Sequence, residues 1–495
     1  MLMPVADQEM LARRDECITA FKRILPKENV IFDLASLAAY ECDGLMAYRQ
    51  KPFIVVLPET VEQVSQVMAY CNSIGLKIVP RGAGTSLSGG ALPLEDGIVL
   101  AMGKFNRILD KDYENRCVVV EPCVTNAAVT EAVAERGFYY APDPSSQIVC
   151  SIGGNVAENA GGVHCLKYGM TSNNVLGLEM VLIDGTVVRV GGKNLDSQAY
   201  DLLGLVCGSE GLLGVVTEVT VRILKAPETQ RALLVGFSDV ESAGGCVAQV
   251  IASGIIPAAM EIMDRTAIHA AESFVHVGYP LDVEALLLIE LDGGESEVDY
   301  FTALVSDIAT QCGAVSTRQS NSEKERKNFW AGRKAAFPAV GKISPDYYCV
   351  DGTIPRNMLA RALNEISIMS KRFDLKVANV FHAGDGNLHP MILYNADNEG
   401  EFQRAEDFGA AILKLCVDLG GVLTGEHGVG VEKRDLMELQ FSPEDLNQQQ
   451  RLKCAFDSDS LLNPGKVFPK LRRCAELGRV HVHRGATRFP DIERF

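Results

Sequence analysis

The sequence predicts an α+β protein, on three observations. A strand–helix–strand pattern occurs twice between residues 53 and 142, and each time it empties into a long loop of glycine and other small residues. Two strand-like stretches follow, at 177–190 and 211–224. After a segment of mixed charge containing a proline (225–232), strands and helical stretches alternate again. A chain of 495 residues is too long for one small core, so two or three domains are expected.

The elements follow in order. Residues 7–25 suit an amphipathic helix, with Met10, Leu11, Cys17, Ile18, Phe21 and Leu25 on or near one face. "FIVVL" reads as a strand. Thr60 and Gln63 form a potential capping box for a helix whose Val61, Val64, Val67, Met68 and Cys71 recur at helical spacing. Gly75 is placed to end that helix, and "KIVP" is the second strand. The pattern repeats with "CVVVEP" as strand, Thr125 as helix cap, Gly137 as stop and "FYYAPDP" as the next strand. In the second half "ALLLIEL" and "VANVFHA" read as strands, and 401–419 as a helix stopped by Gly420.

Bulk composition narrows the class. Apolar residues at 47% and charged residues at 22% suit a soluble globular chain. A net charge of -17 argues against nucleic acid as a partner and against electrostatic attachment to anionic lipid. No apolar run approaches the ~18 residues that a membrane span needs, and "MLMPVADQEMLARRDEC" is too polar for a signal peptide. The expectation is a cytoplasmic protein, held at the inner membrane only through partners. The 14 cysteines are scattered, with no C-x-x-C pair, and are expected to be free and mostly buried.

"PRGAGTSLSGG" (80–90) is not a Walker A loop, because Gly90 stands where the lysine belongs. It is not G-x-G-x-x-G either, because Leu87 takes the third glycine position. By itself it is either a structural turn or a backbone cradle for a pyrophosphate. "PDPSSQIVCSIGGNVAENAGG" (142–162) is a second loop of small residues, over which backbone can lie flat against a planar ligand. The two together point to a nucleotide cofactor.

Eight histidines occur in the chain, and two lie in "FHAGDGNLHP" (381–390). His382 and His389 flank glycines, so they do not share a helical i, i+4 face. A tight turn can aim both at one spot, where Glu426 of "TGEHGVG" (424–430) would add an oxygen. The spacing alone fits either an open divalent-metal site or hydrogen-bonded core histidines.

Residues 35–470 resemble the vanillyl-alcohol oxidase/PCMH flavoproteins. The resemblance rests on Pro80-Arg81-Gly82-x-Gly84-Thr85-Ser86, on Pro142-x-Pro144, on Ser151-Ile152-Gly153-Gly154-Asn155 and on Asn159-Ala160-Gly161-Gly162. "FWAGRKAAFPAVGKISPDYYCVDGTIPR" is especially similar to the FAD subunits of bacterial glycolate oxidases, relatives of D-lactate and D-2-hydroxyglutarate dehydrogenases. The resemblance implies a PCMH-type two-subdomain FAD-binding domain at 51–228, behind an N-terminal helical segment at 1–50. A ferredoxin-like α+β substrate domain at 229–470 would follow, with a C-terminal helical segment and a tail at 471–495.

By residue match, FAD would be held by Arg81, Gly82, Gly84, Thr85, Ser86, Pro144, Ser151, Gly154, Asn155, Gly161, Gly211, Val216, Asn463 and Lys466. Thr85 stands where some relatives carry a flavin-tethering histidine, so non-covalent FAD is expected. The relatives imply His382, His389 and Glu426 as ligands of a divalent metal, Zn or Mn. They imply His427 as general base and Arg333 as clamp for a substrate carboxylate, with Lys334 as the fallback. Cys349 occupies the position where D-2-hydroxyglutarate dehydrogenases carry a lysine, which argues for a monocarboxylate such as glycolate or D-lactate.

The activity implied is oxidation of a small 2-hydroxyacid by hydride transfer to flavin. The chain shows no nicotinamide, iron–sulfur or haem motif. The resemblance therefore implies an iron–sulfur subunit and a second flavin-domain subunit as partners that carry electrons toward quinone. The competing expectations are a flavin alcohol or aldonolactone oxidase, a non-catalytic flavin-fold subunit, and a colourless metallohydrolase.

Overall fold

The computed structural model describes residues 3–194 and 200–469, with a short strand pair at Val482–His483 and Ala486–Thr487. The remainder of the expected tail lies outside the described residues.

The first sheet holds β1 (Val30–Ile31), β2 (Ile54–Val56), β3 (Lys77–Arg81) and β4 (Gly97–Ala101) in the order β1-β2-β4-β3. β2 and β3 both run parallel to β4, which lies between them. The crossover helix Val61–Ile74 buries Val64, Val67, Met68 and Cys71, and Gly75 ends it at φ 73°. Its cap is half of the expected box. Thr60 Oγ1 accepts from the Gln63 N–H, but Gln63 Oε1 accepts from the N–H of Glu59 rather than that of Thr60. The expected N-terminal helix is two helices, Gln8–Ala12 and Arg14–Ile24, because Arg13 leaves helical geometry (φ -91°, ψ 10°) in a polar run with no core to reach.

The second sheet is antiparallel, in the order β5-β6-β9-β7-β8. Its strands are β5 (Ile108–Asp112), β6 (Cys117–Val120), β7 (Val175–Val181), β8 (Val187–Gly191) and β9 (Val215–Arg222). The second strand–helix–strand unit is therefore not a parallel crossover. Both edges of β6 are taken by β5 and β9, so Phe138–Tyr139 pairs instead with Leu224–Lys225.

A seven-stranded sheet carries the second half. Its strands are β10 (Thr229–Phe237), β11 (Ala259–Asp264), β12 (Ala285–Gly293), β13 (Ser316–Gln319), β14 (Asp346–Cys349), β15 (Val377–Phe381) and β16 (Pro390–Tyr394). They lie in the order β13-β10-β12-β11-β15-β16-β14. The first four strands stand in the order 4-1-3-2, with helices Val240–Ala252 and Glu295–Gln311 after the first and third. That is the ferredoxin-like β-α-β-β-α-β plan. The C-terminal helix Pro443–Phe456 starts on a complete capping box between Ser442 and Asp445. After it the chain returns to the first sheet. Ile78 of β3 donates its N–H to Leu461 O (2.8 Å) and accepts from the Asn463 N–H (2.7 Å).

Among the described residues twelve cysteines are free, six of them buried, while Cys454 departs from that expectation in being disulfide-bonded. Among the described residues no helix is long and apolar enough to cross a membrane.

Candidate active site

The glycine loop leaves β3 at Arg81, and the second loop faces it. Ser151 caps the helix Ile152–Glu158 by accepting from the Gly154 N–H (3.2 Å). A Cβ on Gly82 would overlap Ser151 Oγ, so only glycine lets the loops meet so closely. A cavity of about 420 Å3 opens between them. It is lined by Arg81, Gly82, Gly84, Thr85, Ser86, Pro144, Ser151, Gly154, Asn155, Gly211 and Val216, and it continues to Arg333, Phe337, His382, His389, Glu426 and His427. The residues assigned to the cofactor and those assigned to the chemistry thus share one space.

Three expected cofactor contacts do not line it. Asn463 Nδ2 donates to Gly90 O (2.9 Å) and Glu210 O (2.7 Å), and Lys466 Nζ donates to Leu92 O (2.7 Å) and Asn463 Oδ1 (2.6 Å). Both brace the back of the glycine loop, and burial pushes the Lys466 amine down to about 7. Gly161 sits where the loops reach the histidines, and a Cβ there would stand 2.5 Å from Glu426 Oε2. Just beyond it His164 bridges Asp143 (2.8 Å) and Glu290 (3.3 Å), tying this loop to β12.

The histidine turn is set by its glycines. β15 ends at Phe381. The His382 N–H donates to Asn387 O (3.0 Å), and the His382 carbonyl accepts from the Gly386 N–H (3.0 Å). Gly386 has φ 79°, and a Cβ there would overlap Ile354 O. The turn brings the His382 and His389 rings to 5.0 Å at 90°. Gly386→Ala is expected to destabilise the protein by about 1–3 kcal/mol and to weaken substrate turnover. Thermal melting beside steady-state rates checks this, and a wild-type melt with a wild-type rate would mean the turn does not depend on that glycine.

Glu426 meets the two histidines with one oxygen. Its Oε1 lies 3.0 Å from His389 Nε2, 3.4 Å from His382 Nε2 and 3.9 Å from His427 Nε2. Burial pushes the Glu426 carboxyl up, but hydrogen bonds from His382 and His389 outweigh it and hold it well below its usual range. The His427 ring stacks on that of His389 at 5.0 Å and 12°. Burial, with His389 and Lys433 nearby, outweighs the pull of Asp351 and lowers His427 to about 4, leaving the ring neutral at pH 7.

Four residues of this arrangement are absent from the expected set. Glu261, on β11, accepts from His382 Nδ1 (2.8 Å) with one oxygen and from Arg333 Nε (2.9 Å) and Nη2 (2.6 Å) with the other. Arg333 is thus paired, and Nη1 is the guanidinium nitrogen that Glu261 leaves unbonded. Asp351 is fully buried. It accepts from Thr424 Oγ1 (2.6 Å), from the N–H groups of Gly425 (2.9 Å) and His427 (3.0 Å), and from Lys433 Nζ (3.1 Å). It organises the Glu426 loop from behind. Phe337 places its ring 6.5 Å from that of His389. The signal for Glu261 and Asp351 was a single acid inside an apolar strand-like run, "AAMEIM" and "YYCVDG". Lys433 and Phe337 carried none. Cys349 and Lys334 are not on the cavity wall.

Residues 52–191 match the model of an FAD binding domain, and residues 226–467 match "FAD linked oxidases, C-terminal domain". The chain is 53% identical over 482 residues to the glycolate oxidase subunit GlcD of Escherichia coli K12, covering 97% of each. The chain belongs to the FAD-linked oxidases. This FAD-linked oxidase is also 31% identical over 466 residues to a D-lactate dehydrogenase of Anaerostipes hadrus, covering 92% of this chain and 98% of that one. The structure of p-cresol methylhydroxylase with substrate bound superposes with a TM-score of 0.77 at 18% identity, over 93% of this chain and 97% of that one. The fold is PCMH-type, and FAD is the cofactor of this oxidase. The long cavity walled by small residues at one end accommodates such a dinucleotide.

Proposed function

We propose that this FAD-linked oxidase oxidises a short 2-hydroxyacid, glycolate or D-lactate, to the 2-oxoacid. One observation carries the reading: a single cavity joins the glycine loops to Arg333, the His382/His389/Glu426 cluster and His427. Arg333 offers Nη1 to the substrate carboxylate while Glu261 holds the other face of the guanidinium. His427, neutral and stacked on His389, takes the hydroxyl proton on the ring nitrogen that faces Glu426. Bound FAD supplies the acceptor for the hydride that leaves C2.

The cluster suits a divalent cation on two grounds. Two imidazole nitrogens and a carboxylate oxygen lie within 4.8 Å of one another. Glu261 already neutralises Arg333, so the Glu426 charge needs a proton on His382 or a cation in its place before an anionic substrate enters. His382, His389 and Glu426 would hold it, where it would supply Lewis acidity toward the hydroxyl. The neighbouring Asp351, His389 and His427 group does not suit a metal, because Lys433 and the loop N–H groups occupy the Asp351 carboxylate.

Among the charged residues lining the cavity the cations are Arg81, at the glycine loop, and Arg333. A second carboxylate would meet no second arginine or lysine on the wall near Arg333, which favours a monocarboxylate over D-2-hydroxyglutarate. Electrons leave through partners, an iron–sulfur subunit and a second flavin-domain subunit that pass them toward quinone at the inner face of the membrane. Support comes from the relatives named as subunits and from the lack of any other redox motif in the sequence.

The test is anaerobic bleaching of the bound flavin by glycolate, D-lactate, L-lactate and D-2-hydroxyglutarate, before and after EDTA. Rapid bleaching by glycolate or D-lactate, suppressed by EDTA and restored by Zn2+ or Mn2+, is expected. A yellow protein that none of the acids bleaches would sink the reading, and bleaching indifferent to EDTA would remove the metal from it.

A further inference from the structure

We infer that Phe337 is the residue that limits the length of the acid this site accepts, to two or three carbons. The inference rests on the substrate reading above and deepens it. Phe337 follows Arg333 by one turn on the helix Glu323–Ala339, so the two side chains share a face. Both line the cavity. The Phe337 ring stands edge-on to His389 (6.5 Å, 61°) and edge-on to Tyr347 (6.4 Å, 68°). Tyr347 is 41% exposed, so Phe337 is the ring between the histidine cluster and the surface on this side.

The helix sets the ruler. Four residues rise about 6 Å along the axis. A carboxylate bonded to Arg333, with its C2 hydroxyl turned to Glu426 and His427, directs its C2 substituent along the wall toward Phe337. Hydrogen or a methyl group fits before the ring. A longer chain meets the ring, which has Tyr347 packed against it.

The experiment compares kcat and KM for glycolate, D-lactate, D-2-hydroxybutyrate and D-2-hydroxyvalerate in the wild type, Phe337→Ala and Phe337→Leu. Flavin content and melting temperature show that each variant is folded, and Phe337→Leu serves should the alanine variant fail to hold flavin. The wild type is expected to lose kcat/KM steeply beyond three carbons. Removing the ring is expected to raise kcat/KM for the four- and five-carbon acids relative to glycolate by about 10-fold or more, mostly through KM. Unchanged ratios in flavin-loaded variants, or a wild type that already takes the five-carbon acid as well as glycolate, would overturn the length limit and leave the 2-hydroxyacid reading standing. Failure of the wild type to oxidise any of the four would overturn that reading and the length limit with it.

Discussion

Asp351→Ala will destabilise the protein by about 3–5 kcal/mol and lower activity with it. The substitution takes from the Lys433 ammonium, itself fully buried, the nearer of its two carboxylates, Asp351 at 3.1 Å, and leaves Glu432 at 3.5 Å. It also strips the nearer of two acceptors from the Thr424 hydroxyl, and the carboxylate acceptor from the N–H groups that shape the Glu426 loop. Burial alone would push the Asp351 carboxyl up, yet Lys433, His427 and His389 hold it well below its usual range, the mark of a charge the fold depends on. Asp351→Asn keeps an oxygen for the loop and should lose less. Adding Lys433→Met to Asp351→Ala should recover part of the loss, because the buried ammonium that lost its nearer partner goes too. Urea denaturation of the four proteins measures this. A single mutant as stable as the wild type, or a double mutant no better than the single, would show that the pair is not what holds the loop.

His389→Ala will reduce substrate-driven flavin bleaching by about 100- to 1000-fold while leaving the flavin in place. His389 stands at the centre of the site. It bonds Glu426 at 3.0 Å, meets His382 edge-on and carries the stacked ring of His427. Its loss disperses the cluster and frees the ring proposed to take the proton. The glycine loops are built from other elements, around β3 and the helix Ile152–Glu158, so flavin content should hold at the wild-type level. A colourless variant would mean that His389 supports the cofactor rather than the chemistry. A yellow variant bleached at the wild-type rate would remove the cluster from the mechanism.

What the sequence made legible was local chemistry. Glycines whose turns need positive φ, such as Gly75 and Gly386, and histidines rare enough to notice lie within a few residues of the structure they shape. What escaped was pairing across the sheet. Glu261 reaches His382 only because β11 lies beside β15, which aligns residues 121 apart in sequence. No spacing rule reports such a partner, so Arg333 read as a free clamp when its guanidinium is already half engaged. The second strand–helix–strand unit was misread for a similar reason. Phe138–Tyr139 has the local look of a returning strand, but whether it can pair with β6 depends on β5 and β9 having filled both edges. Asn463 and Lys466 matched cofactor-binding positions by motif, yet the described structure sets them behind the loop, as braces.

Those braces have a consequence for how the protein is made. The ribosome delivers β3 and the glycine loop early, but their last hydrogen-bond partners, Leu461, Asn463 and Lys466, are translated more than 370 residues later. Closing so long a chain segment is slow relative to local folding. The nascent first sheet therefore waits with an open edge at Ile78 until those residues have been made. Until then the glycine loop stands without the braces that Asn463 and Lys466 give it at Gly90 and Leu92.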